Sequence, residues 1–404
     1  MRIADAVNLE DVRRMAKRRL PRIAYDFIEG GVEDERCLER NRESFARHTL
    51  MPRYMVDVDR RDQSVSLFGR SYSSPFGISP AGVAGLFRPG TDRMLAEEAA
   101  RANIPFVVPA AGQLLIEDAA KVAGECAWFQ VYGTRDPAIV DDMVRRARDS
   151  GIANLVFTAD VPIVPRRERN IRNRFSRPLR LTPRRVIEGL THPAWLIDFL
   201  RAGGVPLLVN WAAYAKDATD KDEVGDLFGV HTPASGQDWA TLDRIRRLWP
   251  GKLIVKGILH PGDALRCVEA GADGIVVSNH GGRQLDSAPS PVDMLLPIRA
   301  AVGPGVTLML DSGVRRGADI LVARCLGADF AFFARPTLYG SAAAGNAGIA
   351  KVISILRTEI DLTLAQIGCP DIKALDAGFL TETVLSGQDR PAAVPGRLHT
   401  LQRG

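Results

Sequence analysis

The chain lacks several patterns, and each absence narrows what it can be. None of its apolar runs approaches the roughly 20 residues that a membrane-spanning helix needs. Its first residues have neither the apolar core nor the small-residue cleavage site of a signal peptide, so we expect no secretory leader. The five cysteines are scattered and form no C-x-x-C pair. That argues against a zinc site or a disulfide framework and fits a reducing, cytoplasmic setting.

Nucleotide-binding and metal-binding patterns are also missing. No G-x-G-x-x-G turn follows a predicted strand and no P-loop occurs, which argues against the usual dinucleotide and nucleoside triphosphate sites. Five of the six histidines lack metal-ligand spacing, and we expect no metal site. The net charge is only +5, and most of the excess lies between Arg166 and Arg185, where nine arginines accompany one acid. A local excess does not indicate a nucleic-acid-binding protein.

What the chain does contain is a regular alternation of strands and helices. Two amphipathic helices are predicted at 8–20 and from Pro21 to Gly30, before the alternation begins. The predicted strands are 76–80, 105–108, 127–132, 154–158, 252–256, 274–278, 306–311 and 329–334. Strands separated by helices pair in parallel, and eight such units close into an α/β fold, the (β/α)8 TIM barrel. A doubly wound open sheet is the alternative, weakened by the missing glycine-rich turn.

The barrel prediction makes the chain one domain with an insertion after the fourth strand. The expected parts are N-terminal helices over 1–63, the barrel over about 64–370, an irregular loop insertion over about 166–236 and a C-terminal tail over 371–404. Within the insertion, residues 216–237 are polar and predicted to be a mobile lid connection. One long last helix is expected over about 341–366.

Polar residues recur where the predicted strands end. In a TIM barrel, the carboxyl ends of the strands and the loops after them carry the active site. The ends are, in order, Pro80-Ala81-Gly82, Pro109-Ala110-Ala111, Gln130 with Tyr132, Thr158 with Asp160, Lys256, Ser278 with His280, Asp311, and Ala334-Arg335. Single residues of this kind are often helix caps. Four ionisable or hydroxyl side chains together, at Tyr132, Asp160, Lys256 and His280, favour an active site.

The sequence from Ser278 to Asp286 is the most informative of these ends. His280 is the side chain best suited to proton transfer near neutral pH. Asp160 can orient its imidazole and stabilise the charged form. Arg283 and an arginine of the Arg166-Arg167 pair can clamp a carboxylate and fix a substrate's orientation. These parts predict acid–base chemistry on a small anionic substrate.

Other strand ends indicate a cofactor. Tyr132 can hydrogen-bond the substrate, and Lys256 can stabilise an anion that forms on a cofactor. The segments Asp311–Gly317 and Ala334–Pro336 follow strands seven and eight, where such barrels bind phosphate. A base, a carboxylate clamp, a phosphate site and an interior lysine suit a phosphorylated flavin better than a metal.

Taken together, these motifs resemble the FMN-dependent L-2-hydroxy acid oxidases and dehydrogenases, which include glycolate oxidase, L-lactate dehydrogenase and mandelate dehydrogenase. The matching strings are Ser278–Asp286, Asp311–Gly317, Phe129–Tyr132, Val255–Gly257, Arg40-Asn41 and Pro52-Arg53. The resemblance runs from about Leu9 to Asp371. Two further strings, Leu338–Gly340 and Thr363–Cys369, are most similar to the bacterial mandelate and lactate dehydrogenase branch.

The resemblance implies an FMN enzyme that oxidises an L-2-hydroxy acid to the 2-keto acid, with His280 as the base and Asp160 as its partner. It implies substrate contacts from Phe27, Tyr132, Arg167, His280 and Arg283. It implies an FMN site formed by Pro80, Ala81, Gly82, Gln130, Thr158, Lys256, Ser278, Asp311, Gly313, Arg315, Ala334 and Arg335. It also implies a homo-oligomer, a tetramer by analogy. Whether His280 removes the hydroxyl proton or the α-proton stays open.

This chain departs from the family pattern at several positions. Phe27 stands where a tyrosine usually binds the substrate carboxylate, and a phenyl ring cannot donate that hydrogen bond. Pro109 replaces a hydroxyl residue near flavin N5. Ala111 stands where glycolate oxidases carry tryptophan, which enlarges the pocket. Ala81 replaces a common threonine, and Ala334 replaces a common glycine in the phosphate loop. The departures leave the acid–base set intact but bear on the substrate and on flavin tuning.

The expected electron acceptor and the expected membrane binding are linked. Gly82 stands where oxidases often have alanine and several dehydrogenases have glycine, so it favours a quinone over oxygen as acceptor. The basic stretch Arg166–Arg185 is followed by an apolar one that holds Trp195, Phe199 and Trp211. It is either a solvated loop or an interfacial membrane segment. Membrane binding would place the enzyme peripherally on the inner face of the cytoplasmic membrane.

Three functions remain open from the sequence. The first is the FMN-dependent dehydrogenase, with an oxygen-using oxidase as its close variant. The second is an FMN barrel that does non-redox chemistry, such as isomerisation, against which Asp160 and the two arginines beside His280 argue. The third is a flavoprotein impaired in catalysis by Phe27 and Pro109.

Overall fold

Eight parallel strands close into a barrel in the computed structural model, which describes residues 1–175 and 182–381. The barrel strands are β3 (Phe76–Ile78), β4 (Phe106–Pro109), β5 (Ala127–Tyr132), β6 (Asn154–Thr158), β7 (Lys252–Ile258), β8 (Gly274–Val277), β9 (Thr307–Leu310) and β10 (Phe330–Phe333). They follow one another around the barrel in chain order, and β10 pairs with β3 to close it. The predicted (β/α)8 TIM barrel is confirmed, and the doubly wound alternative is wrong.

A small hairpin covers the end of the barrel at which the strands begin. It consists of β1 (Val65–Leu67) and β2 (Arg70–Tyr72). Phe68 at its turn packs on Trp128 with 5.7 Å between ring centroids. A Cβ on Gly274, the first residue of β8, would lie 2.9 Å from the Phe68 ring. The bottom of the barrel is therefore sealed by aromatic packing, which leaves the opposite end for chemistry.

Sixteen helices are found among the described residues. They are α1 (Leu9–Arg19), α2 (Arg22–Glu29), α3 (Arg36–Ala46), α4 (Thr91–Ala102), α5 (Ile116–Ala123), α6 (Pro137–Asp149), α7 (Glu168–Arg172), α8 (Pro183–Leu190), α9 (Pro193–Arg201), α10 (Lys221–His231), α11 (Trp239–Leu248), α12 (Pro261–Glu269), α13 (Pro291–Val302), α14 (Gly317–Cys325), α15 (Arg335–Ala344) and α16 (Asn346–Gln366). The single last helix predicted over 341–366 is wrong. Gly345 breaks it with a φ of 60°, a conformation that glycine adopts at little cost.

The barrel interior is filled by large apolar side chains. Trp128 and Phe332 meet edge-on with ring centroids 5.5 Å apart, and Phe330 packs 5.3 Å from Phe332. All three are at most 2% exposed. Burying a phenylalanine-sized side chain contributes roughly 1.5–3 kcal/mol. The strands are thus held rigidly, and rigid strands fix the side chains at their carboxyl ends.

The N-terminal helices pack against the open end of the barrel. Asn41 of α3 and Asn279 exchange two amide hydrogen bonds, of 2.6 and 2.9 Å. Two glycines permit this approach: a Cβ on Gly313 would lie 2.3 Å from the Asn41 carbonyl oxygen, and one on Gly282 would lie 2.8 Å from the Leu38 nitrogen. Both glycines have positive φ. The first 46 residues are therefore built onto the mouth of the barrel.

The insertion after β6 differs from the prediction. It was expected to be irregular, but its described residues form α7 to α10, so that prediction is wrong. Trp195 donates from Nε1 to the Leu86 carbonyl oxygen at 2.8 Å, and Asn210 donates to the Leu114 carbonyl oxygen at 2.9 Å. Trp211 is 1% exposed. Trp195 thus attaches the insertion to the loop after β3, and both tryptophans are buried, unlike the lipid-facing positions that the membrane-segment alternative implies.

A different set of apolar side chains on the insertion faces solvent. Their exposed fractions lie between 47 and 65%, and they are Val186, Ile187 and Leu190 on α8 and Ile197 and Leu200 on α9. Across the described residues, no helix combines the length and apolar character that crossing a bilayer would take. The amphipathic surface is thus carried by two short helices.

Candidate active site

A cavity of about 290 Å³ opens at the carboxyl ends of the barrel strands. Most of the predicted site residues line it: Phe27, Pro80, Ala81, Gly82, Tyr132, Arg167, Lys256, His280, Arg283, Asp311, Gly313, Arg315, Ala334 and Arg335. Gln130, Thr158 and Ser278 are buried in or directly after adjacent strands, and Asp160 follows Thr158. The structure thus brings the residues predicted from separate strand ends to one place.

His280 and Asp160 form the central pair. The His280 Nδ1 lies 2.9 Å from the Asp160 Oδ1. His280 has a φ of 59°, in the left-handed region, and its backbone nitrogen donates to the Ser278 hydroxyl at 3.0 Å. Gly257 makes room for the partner, since a Cβ there would lie 2.5 Å from the Asp160 Cβ. With Nδ1 held by a carboxylate, the imidazole leaves its other nitrogen, Nε2, for a substrate.

Burial sets the protonation state of His280. It lowers the pKa of the imidazole from its ordinary value, Asp160 opposes that shift, and Lys256 and Arg167 add to it. A lowered pKa keeps the ring neutral at pH 7, and a neutral imidazole can accept a proton. The site therefore holds a base that is ready without a prior deprotonation.

Lys256 and Asp311 form a buried ion pair below the histidine. The Lys256 Nζ lies 2.8 Å from the Asp311 Oδ2 and donates to the Ser278 hydroxyl at 2.7 Å. Burial alone would lower the pKa of Lys256, but the charges of Asp311 and Asp160 outweigh it and raise that pKa. Ser79 and Ser312 each donate to Asp311. A fixed positive charge thus lies inside the barrel mouth, in surroundings of low dielectric.

Three side chains around His280 can receive an anionic substrate. Arg167 and Arg283 both line the cavity, and the Arg167 Nε donates to the Arg283 carbonyl oxygen at 3.3 Å. Burial, followed by the charges of Arg167 and Arg335, lowers the pKa of Arg283 well below its ordinary value. Burial and the charge of Asp160 raise the pKa of Tyr132 to about 12, so its hydroxyl stays a donor. The neighbouring guanidinium groups of Arg167 and Arg283 are therefore well suited to bind a carboxylate.

Arg283 is less open than the sequence suggested. Its Nη1 donates to the carbonyl oxygens of Phe27 and Gly30, at 2.9 and 2.8 Å, where α2 ends. Its guanidinium also lies 5.3 Å from the centroid of the Phe27 ring. These contacts fix the arginine in place and leave the other nitrogens for a ligand. Tyr25, two residues from Phe27, bonds Glu29 instead and does not line the cavity.

Several buried polar atoms fit a flavin ring. The Gln130 Nε2, Thr158 Oγ1 and Asp160 Oδ2 are buried and have no hydrogen-bond partner among the described residues. Gln130 lies two residues before the end of β5, Thr158 ends the neighbouring β6, and Thr158 pairs in register with Lys256. Leaving such atoms unsatisfied costs about 1–3 kcal/mol each. A planar ligand with alternating donors and acceptors would satisfy the first two, as the isoalloxazine edge does.

The far end of the cavity fits a phosphate less simply. Arg315 and Arg335 line it beside Gly313, whose φ is 93°. Burial lowers the pKa of Arg315 to about 10, so it remains charged at neutral pH. Arg335, however, donates from its three guanidinium nitrogens to the carbonyl oxygens of Ile28, Gly281 and Gly30. Its role as a phosphate ligand stays a prediction, since binding would have to share or replace these bonds.

A second wall of the cavity, which we call the apolar wall, had no counterpart among the sequence predictions. Phe27, Phe87 and Phe228 line it, together with Val161, Val164, Pro165 and Pro233. Phe228 on α10 and Pro233 shortly after that helix belong to the stretch predicted to be a mobile connection, and both line the cavity. Ala111 lines the cavity next to Gly82, where an added Cβ would lie 3.1 Å from the Ala111 Cβ. Pro109 ends β4 and is not part of the lining.

The described residues hold no group of three or more side chains arranged to bind a metal ion. The family model for FMN-dependent dehydrogenases matches residues 16–382 of the chain. The chain belongs to this family. FMN is the cofactor of the FMN-dependent dehydrogenases, and the orphaned polar atoms beside Lys256 fit it. The predictions of the family, of an oxidoreductase and of FMN are confirmed.

Named relatives are similar over nearly their whole length. The (S)-mandelate dehydrogenase of Pseudomonas putida is 41% identical over 373 residues, which is 92% of this chain and 93% of the relative. The L-lactate dehydrogenase of Pseudomonas syringae pv. syringae (strain B728a) is 36% identical over 93% of this chain and 98% of that protein. A crystal structure of the monotopic membrane protein (S)-mandelate dehydrogenase superposes with a TM-score of 0.89 at 41% identity, covering 93% of this chain and 99% of that one.

Proposed function

We propose that this FMN-dependent dehydrogenase oxidises an L-2-hydroxy acid to the 2-keto acid, with His280 as the base. The observation that carries the proposal is the His280–Asp160 hydrogen bond of 2.9 Å, beside a cavity that two half-buried arginines, Arg167 and Arg283, and the buried Lys256 also line. FMN, when bound, supplies the two-electron acceptor. A non-redox isomerase would need neither two cations for a carboxylate nor a lysine positioned to stabilise a reduced, anionic ring.

The substrate's carboxylate would bind Arg167 and Arg283, with the Tyr132 hydroxyl as a further donor. Binding at two arginines fixes how the hydroxyl-bearing carbon is presented. That carbon would then face His280 on one side, with its hydroxyl or α-hydrogen within reach of Nε2. With the carboxylate at the arginines, the hydroxyl at His280 and the side chain at the apolar residues, three points of contact would select one enantiomer, which we propose is L. A hydrogen-bonded pair of a guanidinium group and a carboxylate is stronger than a hydrogen bond between neutral groups.

His280 would hold the abstracted proton as an imidazolium. Asp160 stabilises that cation through Nδ1, which lets the pair act without a second acid. Lys256, held by Asp311, would lie beside the pyrimidine edge of FMN, with Gln130, Thr158 and Ser278 as its other hydrogen-bonding residues. Arg315, Arg335 and Gly313 would hold the phosphate. These roles are the ones that burial, charge and position support best.

A quinone at a membrane surface is the acceptor we propose. Gly82 lies so close to Ala111 that an added Cβ would be 3.1 Å from the Ala111 Cβ, and the exposed apolar residues of α8 and α9 form a surface suited to the acyl boundary. The crystallised mandelate dehydrogenase is described as monotopic. We propose a peripheral position on the cytoplasmic face and a homo-oligomer. The test is reoxidation: the reduced enzyme should react quickly with a soluble quinone and slowly with air. Reoxidation in air as fast as turnover would overturn the dehydrogenase assignment.

The substrate proposal is tested without oxygen. Purified enzyme loaded with FMN is mixed with L- and D-enantiomers of a series of 2-hydroxy acids, and the flavin absorbance is followed. We expect L-acids alone to bleach the band and release one equivalent of 2-keto acid. Turnover of a substrate without net bleaching would support the non-redox alternative. No response to any acid would indicate a flavoprotein without this activity.

A further inference from the structure

One buried hydroxyl in the cavity is not used by the proposed mechanism. Thr232 is 5% exposed, lines the cavity, and its Oγ1 has no hydrogen-bond partner among the described residues. Its backbone nitrogen caps α10 by donating to the Phe228 carbonyl oxygen at 2.8 Å, so the hydroxyl is left over. A buried hydroxyl without a partner is uncommon and calls for a ligand.

Thr232 is held in place by bonds to the substrate side of the barrel. The His231 carbonyl oxygen accepts from the Arg135 nitrogen at 3.2 Å, and the Gln237 Oε1 accepts from the Gly133 nitrogen at 3.0 Å. Both donors lie in the loop directly after Tyr132. Thr232 therefore lies next to the loop after β5, the strand that carries Tyr132, whereas the residues proposed to hold the phosphate follow β9 and β10.

The surroundings of Thr232 are otherwise apolar. Phe228, one turn earlier on α10, lines the cavity and packs edge-on against Trp211 with ring centroids 5.0 Å apart. Pro233 and Val164 line the same wall. A pocket with an apolar body and one hydroxyl accepts a side chain of the same pattern. The hydroxyl then discriminates, because a partner without a hydrogen-bonding group leaves it unsatisfied.

We propose that Thr232 is a specificity-determining residue that recognises a hydrogen-bonding substituent at the distal end of the substrate's apolar side chain. The substrate class is an L-2-hydroxy acid whose side chain is an aromatic ring, or an apolar chain of similar size, that ends in a hydroxyl or similar group. This inference rests on the proposed function, since the carboxylate end of the same molecule occupies Arg167 and Arg283.

The experiment compares ligands of equal size that differ in one polar atom. The pairs are 4-hydroxymandelate with 4-methylmandelate, and 4-hydroxyphenyllactate with 4-methylphenyllactate. Two pairs are used because mandelates and phenyllactates place the ring substituent at different distances from the carboxylate. For each pair, kcat/KM is measured in FMN-loaded wild type, Thr232→Val and Thr232→Ser. We expect the hydroxy-to-methyl ratio of one pair to fall roughly tenfold in Thr232→Val, the loss expected for one neutral hydrogen bond. Thr232→Ser, which keeps the hydroxyl, should restore it.

Binding without turnover separates this inference from the proposed function. Arylacetates lack the 2-hydroxyl and cannot be oxidised in this way, so 4-hydroxyphenylacetate and 4-methylphenylacetate are titrated and the flavin absorbance gives the dissociation constants. Thr219→Val, on an exposed turn before α10, is the matched control and should change no ratio. A binding ratio that falls in Thr232→Val without any oxidation would sink the proposed function alone. Oxidation with ratios that Thr232→Val leaves unchanged would overturn the inference, with water as the partner of the hydroxyl.

Discussion

The two walls of the cavity are built in opposite ways. The histidine wall consists of charged side chains at strand ends, each tied to a partner, as His280 is to Asp160 and Lys256 to Asp311. The apolar wall includes rings from helices that lie outside the barrel, such as Phe27 on α2 and Phe228 on α10. One wall is arranged for a reaction that many relatives share. In the proposed function, the other would contact the side chain of the substrate.

The difference shows where change is tolerated. A charged residue in a buried network cannot be replaced without leaving its partner unpaired, which costs several kcal/mol. An apolar residue of the apolar wall packs against neighbours such as Trp211 or Phe87. Exchanging it for another apolar residue of similar volume lowers the free energy of unfolding by less than about 1.5 kcal/mol. The following predictions test this difference between the two walls, in order of decreasing expected effect.

Replacing the base should have the largest effect. His280→Asn removes the proton acceptor but can keep a hydrogen bond to Asp160, so FMN should still bind with a normal spectrum. We expect the rate of flavin reduction by substrate to fall by about 10⁴-fold, the upper range for a general base. Stopped-flow absorbance under anaerobic conditions measures it. A fall of less than tenfold would mean that another group takes the proton.

Removing the partner of the base should have the next effect. Asp160→Asn can donate to the His280 Nδ1 and so favour the wrong tautomer, and we expect kcat to fall roughly 10³-fold. In the wild type, the lowered pKa of His280 predicts that kcat/KM is constant near pH 7 and declines as the pH falls below about 6.5. Because Asp160 raises the His280 pKa, its loss should move this acid limb to lower pH. An unchanged limb would show that His280 is not the titrating group.

The buried ion pair should matter for stability. Lys256→Met keeps the volume but leaves Asp311 without its cation, and we expect the free energy of unfolding to fall by about 3 kcal/mol. The folded-state pKa of Asp311 is lowered and that of Lys256 is raised, so the pair stabilises above the ordinary carboxyl pKa and below the ordinary lysine pKa. The difference from the wild type should therefore shrink in strong acid or base. Urea unfolding across pH measures it, and a constant difference would contradict the pairing.

On the apolar wall, adding a donor should have the smallest effect. Phe27→Tyr places a hydroxyl where the ring faces the cavity beside Arg283, and we expect KM for short 2-hydroxy acids to fall about tenfold, close to the lower end of the range for one hydrogen bond to a charged group. Phe175→Tyr is the matched control. Its ring lies 4.9 Å from the Phe27 ring but outside the cavity lining, so KM should not change. Equal effects in both variants would point to packing as the cause.

The histidine wall could be predicted from sequence because its signals are local. A buried strand that ends in Ser278-Asn279-His280 departs from core composition within three residues, and the barrel rule then places that end beside Lys256 and Asp160. The apolar wall had no comparable local pattern in the sequence. Phe228 belongs to a polar stretch, and its ring packs against Trp211 within the same insertion. The insertion is attached to the barrel through Trp195 and Asn210, whose partners Leu86 and Leu114 lie 109 and 96 positions earlier in the chain. Short-range patterns do not carry that information.

The hydrogen bonds of the arginines were missed for a related reason. Arg335 and Arg283 were expected to point at ligands, and both instead share the carbonyl oxygens that α2 exposes at its end. Backbone acceptors at a helix terminus are present in every sequence and mark no residue type. Their use depends on where α2 docks, which the asparagine pair and the two glycines beneath α3 decide.

That docking has a consequence for how the protein is made. The residues of α2 and α3 leave the ribosome before their partners, which lie up to 307 positions further along the chain. Until Arg283 and Arg335 have emerged, the carbonyl oxygens at the end of α2 lack the donors that they have in the folded protein. The reaction centre can therefore assemble only after residues near 335 have been synthesised.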